Sequence, residues 1–230
     1  MNEPKITNCL NCKKQAECFS KLVGEEIDFI NQNKKLILYH KGETICKQGV
    51  FSSYVLNITG GLVKLYLESP NNKNINIKIL KATDFIGFSS IYGNDTCNYT
   101  AVALKDTYIC HIEKESFKIL LHKNGTFASE IIKQYCHNEK QLFNKIQSLN
   151  NKQMHGRLAD TLLYLSTENF SKKNIFSYLS RKDIANFAGL STETTVRLLS
   201  ELKNDNIISI KGKSIEITNL EKLKEISQLG

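Results

Sequence analysis

Short runs rich in β-branched and aromatic residues follow one another through the first half of the chain. Turn-forming residues separate them, including six glycines between Gly42 and Gly93. This pattern is typical of a small antiparallel barrel or roll with sharp corners. The predicted strands cover residues 36–39, 54–58, 62–67, 75–80, 99–104 and 107–112.

Helical periodicity begins where these strands end. A short helix is predicted over 115–121 and a much longer one over 126–151. Apolar residues of the long helix recur at separations of four, seven, four and three, which predicts a helix that pairs with a copy of itself. Alternatively the helix covers the roll of its own chain, since Phe127, Ile132 and Phe143 widen the apolar stripe. The predicted dimer contacts are Ile131, Tyr135, Leu142, Ile146 and Leu149.

Two short helices joined by a tight turn are predicted over 180–202, after an amphipathic helix over 157–165. Ser180 and Asp183 have capping-box spacing, Gly189 suits a helix stop, and Ser191 can cap the second helix. On the second helix one face is predicted to pack inward: Thr195, Leu198, Leu199 and Leu202.

The opposite face of the second helix is the candidate contact surface. In a helix-turn-helix this face enters the major groove of DNA, where Arg can pair with guanine and Glu can accept from cytosine N4. The alternative is an exposed ion pair between Glu193 and Arg197. Residues 207–217 add a strand, a turn and a second strand, which predicts a wing beside the helices. The predicted DNA contacts are Ser180, Arg181, Thr192, Glu193, Val196, Arg197, Ser200, Lys211 and Lys213.

The stretch LSRKDIANFA followed by GLSTETTVRLLSELKNDNIISIKGKSIEI resembles the C-terminal domain of the CRP/FNR family of bacterial transcription regulators. The resemblance implies an α+β fold with an N-terminal antiparallel β-roll of the cyclic-nucleotide-binding type, a long dimerisation helix and a C-terminal winged helix-turn-helix. It also implies that Glu193 and Arg197 read bases, that a homodimer binds an inverted repeat in double-stranded DNA, and that RNA polymerase is a partner. The corresponding segments are 1–22 (a cysteine-bearing arm), 23–124 (the roll), 125–153 (the dimerisation helix) and 154–230 (the DNA-binding domain).

Composition is typical of a soluble globular protein and fits DNA binding. The net charge of +8 and the pI near 9.0 fit a polyanionic partner. No apolar run approaches membrane-spanning length, and the sequence MNEPKITNC lacks the apolar core of a signal peptide, so we expect a cytoplasmic protein without a membrane partner. No P-loop, nucleophile elbow or zinc-protease motif is present, so we do not expect an enzyme.

Three of the seven cysteines lie close together near the N-terminus. Cys9, Cys12 and Cys18 have the spacing C-x2-C-x5-C. A reducing compartment makes a disulfide framework improbable, whereas zinc or an iron-sulfur cluster would take these thiolates and one more ligand. An unordered arm with unligated thiols is the alternative. The candidates for the fourth ligand are Cys46, Cys97, Cys110 and Cys136.

Within the CRP/FNR family, this spacing resembles the cysteine run of the FNR-type oxygen sensors. That resemblance implies a 4Fe-4S cluster that senses oxygen, nitric oxide or redox state. It places the fourth ligand on Cys110 in the segment ALKDTYICHIEKESFKILL, with Cys97 as the reserve candidate. Two alternatives stay open: a DNA-binding regulator with zinc at the cysteines or a small effector in the roll, and a ligand-binding or scaffolding module that does not bind DNA.

The roll departs from the cyclic-nucleotide-binding pattern of its family. Phe88 stands where the resemblance would place a ribose-binding Glu, and no Arg precedes Ala101. A buried phosphate without a guanidinium or comparable donor is poorly bound. We therefore expect no cyclic nucleotide.

Overall fold

Two four-stranded sheets build the β-roll in the computed structural model, which describes residues 9, 16–167, 170 and 175–230. The strands are Lys34–Tyr39 (β1), Thr44–Cys46 (β2), Tyr54–Gly60 (β3), Leu62–Leu67 (β4), Ile75–Lys81 (β5), Phe85–Ile86 (β6), Thr100–Ala103 (β7) and Thr107–Glu113 (β8). The sheet orders are β1-β8-β3-β6 and β2-β7-β4-β5. β8 pairs antiparallel with β1 and β3, and β7 pairs antiparallel with β2 and β4.

Eight helices are described, together with a C-terminal hairpin of Ile208–Lys211 (β9) and Ser214–Ile217 (β10). Short 3-10 turns at Glu17–Lys21, Pro70–Asn72 and Ile175–Tyr178 accompany them. None of the described helices is long and apolar enough to cross a membrane. The helices are Gly24–Gln32 (α1), Ser89–Tyr92 (α2), Lys114–Lys123 (α3), Gly125–Asn151 (α4), Met154–Leu165 (α5), Arg181–Ala188 (α6), Thr192–Asn204 (α7) and Leu220–Leu229 (α8).

The predicted α+β architecture is confirmed. Each of the six predicted strands has a counterpart, and the long helix begins one residue before its predicted start and ends at the predicted residue. Sequence reasoning missed β2 and β6 because segments of three and two residues are too short for an alternating pattern. It also missed α8. The predicted segment boundaries stay predictions.

The chain divides into two compact units: the described residues up to 68 with 78–139, and residues 69–77 with 140–230. In the first unit one apolar cluster lies between the two sheets and includes Ile58 and Ile109 from one sheet and Val63 and Leu65 from the other. At the corner before β4, Gly61 has φ +109°, and a Cβ there would lie 2.2 Å from the Thr107 hydroxyl. Only glycine fits that corner.

A second apolar cluster covers the outer face of the β1-β8-β3-β6 sheet. Side chains alternate between the faces of a strand, so Ile109 of β8 points into the roll while Ile112 joins the outer cluster. Helix α3 contributes Phe117 and Leu120, and α4 contributes Phe127 and Ile131. This cluster therefore attaches the start of the long helix to the roll.

Candidate DNA-binding interface and cysteine sites

Helices α6 and α7 have the caps that the sequence predicts. The Ser180 hydroxyl accepts from the Asp183 N–H at 3.0 Å, and the Asp183 carboxylate accepts from the Ser180 N–H at 2.8 Å. Gly189 ends α6 with φ +63°, a conformation that favours glycine. Ser191 begins α7 by accepting from the Thr194 N–H at 3.1 Å. These caps define where each helix starts and stops, and so confirm the predicted helix-turn-helix.

Helix α7 has one packed face and one free face, as predicted. Thr195, Leu198, Leu199 and Leu202 are buried. Of the predicted base-contacting residues, Thr192 is half-buried and the others are exposed: Glu193, Val196, Arg197 and Ser200. Hydrogen bonds from its own N–H and from Ser191 hold the pKa of Glu193 below its usual value, so this exposed carboxylate stays a charged acceptor.

Arg197 makes its salt bridge with Glu201, not with Glu193. Arg197 Nη1 lies 2.6 Å from Glu201 Oε1, and Glu201 Oε2 lies 3.2 Å from His155 Nε2 of α5. Hydrogen bonds from His155 and the charge of Arg197 keep the pKa of Glu201 below its usual value. Sequence reasoning missed Glu201 and His155, although the i,i+4 spacing of Arg197 and Glu201 was a usable signal. The predicted alternative of a Glu193–Arg197 ion pair does not occur among the described contacts.

The wing is tied to the first helix of the motif. Arg181 Nη2 donates to the Gly212 carbonyl at 2.9 Å and Nη1 to the Lys213 carbonyl at 3.4 Å. Arg181 is half-buried, and burial lowers its pKa from the usual value. Lys211 and Lys213 are exposed at the tip of the hairpin. Arg181, a predicted contact residue, therefore holds the wing against α6.

The long helix α4 carries an exposed apolar stripe that differs in part from the predicted one. Tyr135, Leu142 and Ile146 are exposed as predicted, and Ile132 and Phe143 are each 61% exposed beside them. Ile131 is only 7% exposed and belongs to the outer cluster of its own chain. Leu149 is half-buried and meets Gly189. We call the exposed set the α4 stripe: Ile132, Tyr135, Leu142, Phe143 and Ile146.

Two of the predicted metal ligands are buried together. Cys9 and Cys18 both belong to the outer cluster, with 7% and 3% of their surfaces exposed. Cys9 Sγ accepts from Lys34 Nζ at 2.8 Å, and burial raises the pKa of Cys18 to about 12. Cys12 lies outside the described residues. An apolar position keeps the Cys18 thiol protonated unless a cation is nearby.

The fourth predicted ligand lies on the strand beneath this cluster. Cys110 of β8 is half-buried and alternates with Ile109, so it lies on the same strand face as Ile112, a member of the outer cluster. Among the described residues, no three His, Cys, Asp or Glu side chains lie close enough together to hold one metal ion.

The reserve candidate Cys97 has a different neighbour. The side chains of Cys46 and Ser52, together with the charge of Lys114, lower the pKa of Cys97. Cys97 and burial raise the pKa of Cys46. Cys97 is not a member of the cluster that contains Cys9 and Cys18. No local pattern relates Cys97 to Cys46, because 50 residues lie between them.

Aromatic packing occupies the position of the ribose-binding Glu. The Phe88 ring lies 4.6 Å from that of Phe85 and 5.8 Å from that of Phe117, centroid to centroid. The Tyr99 hydroxyl accepts from the Gly87 N–H at 3.1 Å. This segment of the roll therefore consolidates an aromatic core and presents no carboxylate at that place.

Comparisons with known proteins agree with this architecture. Residues 36–124 match the model of the cyclic nucleotide-binding domain, and residues 156–226 match that of the Crp-like helix-turn-helix domain. The chain is 29% identical over 228 residues to the fumarate and nitrate reduction regulatory protein of Vibrio cholerae, which covers 96% of this chain and 90% of that protein. The Escherichia coli K12 protein of the same name is 26% identical over 228 residues, which again cover 96% of this chain and 90% of that protein.

The fold is similar to that of a solved structure. FixK2 from Bradyrhizobium japonicum superimposes with a TM-score of 0.73 at 21% identity, covering 84% of this chain and 96% of that chain. The two curated relatives are regulatory proteins and not enzymes, in agreement with the sequence prediction. With both domain types matched in the expected order, the chain belongs to the CRP/FNR family of DNA-binding transcription regulators.

Proposed function

We propose that this regulator binds an inverted repeat as a homodimer and senses oxygen, nitric oxide or redox state through a 4Fe-4S cluster on Cys9, Cys12, Cys18 and Cys110. The observation that carries the sensor proposal is the position of three of these cysteines. Cys9 and Cys18 are buried in the outer cluster, and Cys110 lies on the strand face that this cluster covers. Cys12 is outside the described residues, and its role rests on the spacing alone.

The donor set suits an iron-sulfur cluster by its chemistry. All four groups are thiols, and such clusters are held by cysteine thiolates. The apolar surroundings of Cys18 disfavour a bare thiolate, so a cation is what would make this thiolate stable. When bound, the cluster would supply an iron centre that reacts with oxygen or nitric oxide. The chain's own contribution is to hold the thiols and to exclude water around them.

The position of the cysteines also suggests how the sensor would affect the dimer. The cluster of buried side chains that contains Cys9 and Cys18 includes Phe127 and Ile131 from the first turns of α4. The α4 stripe begins at the neighbouring Ile132. A change in the packing of the cysteine arm would therefore change the packing of α4, the helix that is proposed to dimerise. If the 4Fe-4S cluster binds only when the cysteine arm is packed against the roll, its binding free energy couples the sensor to dimer formation.

DNA recognition is proposed to use the exposed face of α7 and the wing. Thr192, Glu193, Val196, Arg197 and Ser200 would face bases in the major groove, and Lys211 and Lys213 would meet phosphates. Ser180 and Arg181 lie at the start of α6, where Arg181 braces the wing. Two copies related by a two-fold axis would call for half-sites about one DNA turn apart. RNA polymerase is the partner that a regulator of this kind implies.

The deciding experiment is anaerobic purification of the full chain, followed by absorbance spectroscopy and analysis of iron and acid-labile sulfide. We expect a brown protein with about four iron and four sulfide per chain. Cys110→Ser should lose the colour and the oxygen dependence of DNA affinity, whereas Cys97→Ser, Cys46→Ser and Cys136→Ser should keep both.

Each other outcome identifies what is wrong. Loss of the cluster in Cys97→Ser with retention in Cys110→Ser would show that the fourth ligand is misassigned. If the protein contains zinc in place of iron, the cysteines form a metal site, but the proposal that an iron-sulfur cluster senses oxygen is wrong. A reconstituted wild type with neither iron nor sulfide would reject the sensor proposal and leave the DNA-binding assignment intact.

A further inference from the structure

A histidine of α5 is joined to the exposed face of α7 through a carboxylate. His155 Nε2 lies 3.2 Å from Glu201 Oε2, and Glu201 Oε1 lies 2.6 Å from Arg197 Nη1. We propose that His155 is a positioning residue for base recognition, which holds Glu201 so that Glu201 orients the Arg197 guanidinium toward DNA. This inference rests on the proposed reading of bases by Arg197 and adds a residue to it.

The two oxygens of Glu201 have different partners. The hydrogen bond from His155 and the charge of Arg197 hold the pKa of Glu201 below its usual value, so its carboxylate is ionised near neutral pH. An ionised carboxylate only accepts hydrogen bonds, and the shared proton is therefore on His155 Nε2. The imidazole donates it both as the protonated ring and as the neutral tautomer with hydrogen on Nε2. The contact therefore does not require a charged histidine.

The pair of Arg197 and Glu201 alone would hold the guanidinium only weakly. The two residues are four positions apart on α7 with the arginine first, which is the less favourable order for an ion pair on a helix. The Arg197 side chain is 57% exposed, so water competes for this contact. A second hydrogen bond from another helix restricts the rotamers of Glu201 and keeps its other oxygen at Arg197.

Helix α5 gives the imidazole a fixed position relative to α7. Both helices belong to the second unit, and α5 packs against α6 and α7. Gly156, the residue after His155, is buried, and Leu158 and Leu162 of α5 are fully buried. On α7, Leu202 is buried next to the half-buried Glu201. Apolar packing thus fixes the two helices, so their polar side chains meet at a distance that the fold sets.

The same contact contributes little to folding. The His155 side chain is 49% exposed and that of Glu201 is 42% exposed. Exposed contacts of this kind add little to stability, because water competes for both partners. Removal of the imidazole is therefore expected to change the orientation of Arg197 and to leave the free energy of unfolding nearly unchanged. This difference separates a positioning role from a structural one.

The test compares base discrimination by variants of the full chain, prepared anaerobically. Duplex DNA that the wild type selects from a randomised inverted-repeat library is the probe, and competition by its single-base-pair variants measures discrimination. Arg197→Ala identifies the base pair that Arg197 reads. At that base pair we expect His155→Ala to lower discrimination by about two- to tenfold, the range for one long side chain that must be ordered on binding. The temperature of unfolding should match that of the wild type.

Two further variants and a control show whether His155 acts through Arg197. His155→Gln places an amide N–H near the position of Nε2 and should restore discrimination. His155→Ala added to Arg197→Ala should cause no further loss at the same base pair, because the residue through which it acts is already absent. Met154→Ala, at the neighbouring exposed position of α5, should discriminate as the wild type does.

Three results would overturn this inference alone. Discrimination that is kept in His155→Ala but lost in Arg197→Ala would show that His155 does not position the guanidinium. Equal weakening on every duplex by His155→Ala would show a phosphate contact, and loss in His155→Gln with a lower unfolding temperature would show a structural role. If Arg197→Ala keeps discrimination at every base pair, the proposed reading of bases by Arg197 is itself wrong, and this inference fails with it.

Discussion

Arg197 on the exposed face of α7 is held by Glu201, one turn further along the helix, at 2.6 Å. Glu201 is in turn in contact with His155 of α5. An arginine has five N–H donors, so a single contact to Glu201 leaves others for a guanine edge. Such an exposed ion pair contributes only about 0.3–0.5 kcal/mol to stability. Its larger effect is expected to be on the orientation of the guanidinium. An arginine side chain that is already oriented loses less conformational entropy when it binds DNA.

Replacement of Arg197 should therefore affect sequence discrimination. Arg197→Ala is expected to weaken operator binding by about 1–3 kcal/mol and to relax preference at one base pair per half-site. Fluorescence anisotropy on a set of single-base operator variants measures both effects. Arg197→Lys keeps the charge but loses the bidentate fork, so it should also lose discrimination. Lys213→Ala is the matched control, since loss of a phosphate contact weakens all sequences alike. Uniform weakening by Arg197→Ala would contradict base readout.

The α4 stripe should mediate association. Ile146, the last residue of the stripe, is 52% exposed, and Ile146→Asp places a charge in any helix pair formed there. We expect monomers by light scattering and weaker operator binding, with an unchanged free energy of unfolding for the separated chains. Ile131→Ala is the control, because Ile131 packs inside its own chain and its truncation should cost about 2–5 kcal/mol of stability. A dimer that survives Ile146→Asp would place the interface elsewhere.

The sequence pattern predicted the fold well where side-chain periodicity is long. The 27-residue helix α4 and the helix-turn-helix both follow from apolar spacing and caps. Periodicity did not assign each apolar residue to a partner: Ile131 falls in the predicted stripe but is buried in its own chain, whereas Ile132 is exposed. Contacts that depend on tertiary folding, such as Lys145 with the Phe187 carbonyl, leave no local signal at all.

Asp160 should stabilise the second unit through its hydrogen bonds. Its carboxylate accepts from Ser148 of α4, from Ser227 of α8 and from Lys152 Nζ at 2.8 Å. Asp160→Ala would leave these donors without a charged acceptor, in a site where the Lys152 and Asp160 side chains are each only 26% exposed. We expect a loss of about 2–3 kcal/mol in urea unfolding. Asp160→Asn keeps one acceptor oxygen and should lose less. A loss below about 0.5 kcal/mol in Asp160→Ala would show that the network is not important for stability.

Lys145 should make the stability of the second unit depend on pH. Its ammonium donates to the Phe187 carbonyl and lies 5.6 Å from the Phe187 ring centroid. Burial lowers the pKa of Lys145 to about 8, with Asp160 acting to raise it and Arg157 to lower it.

An unfolded lysine has a pKa near 10.4, so above about pH 8 the unfolded chain holds more protons than the folded chain. The unfolding free energy contributed by this group therefore rises with pH between these two values. Measured by urea unfolding, the stability of the wild type relative to Lys145→Met should increase by about 1–2 kcal/mol from pH 7.5 to 9.5. Lys203→Met, at an exposed position of α7, is the control and should show no such increase. Parallel curves for the wild type and Lys145→Met would mean that Lys145 stays charged throughout this range, and that its contact with the Phe187 carbonyl offsets the cost of burial.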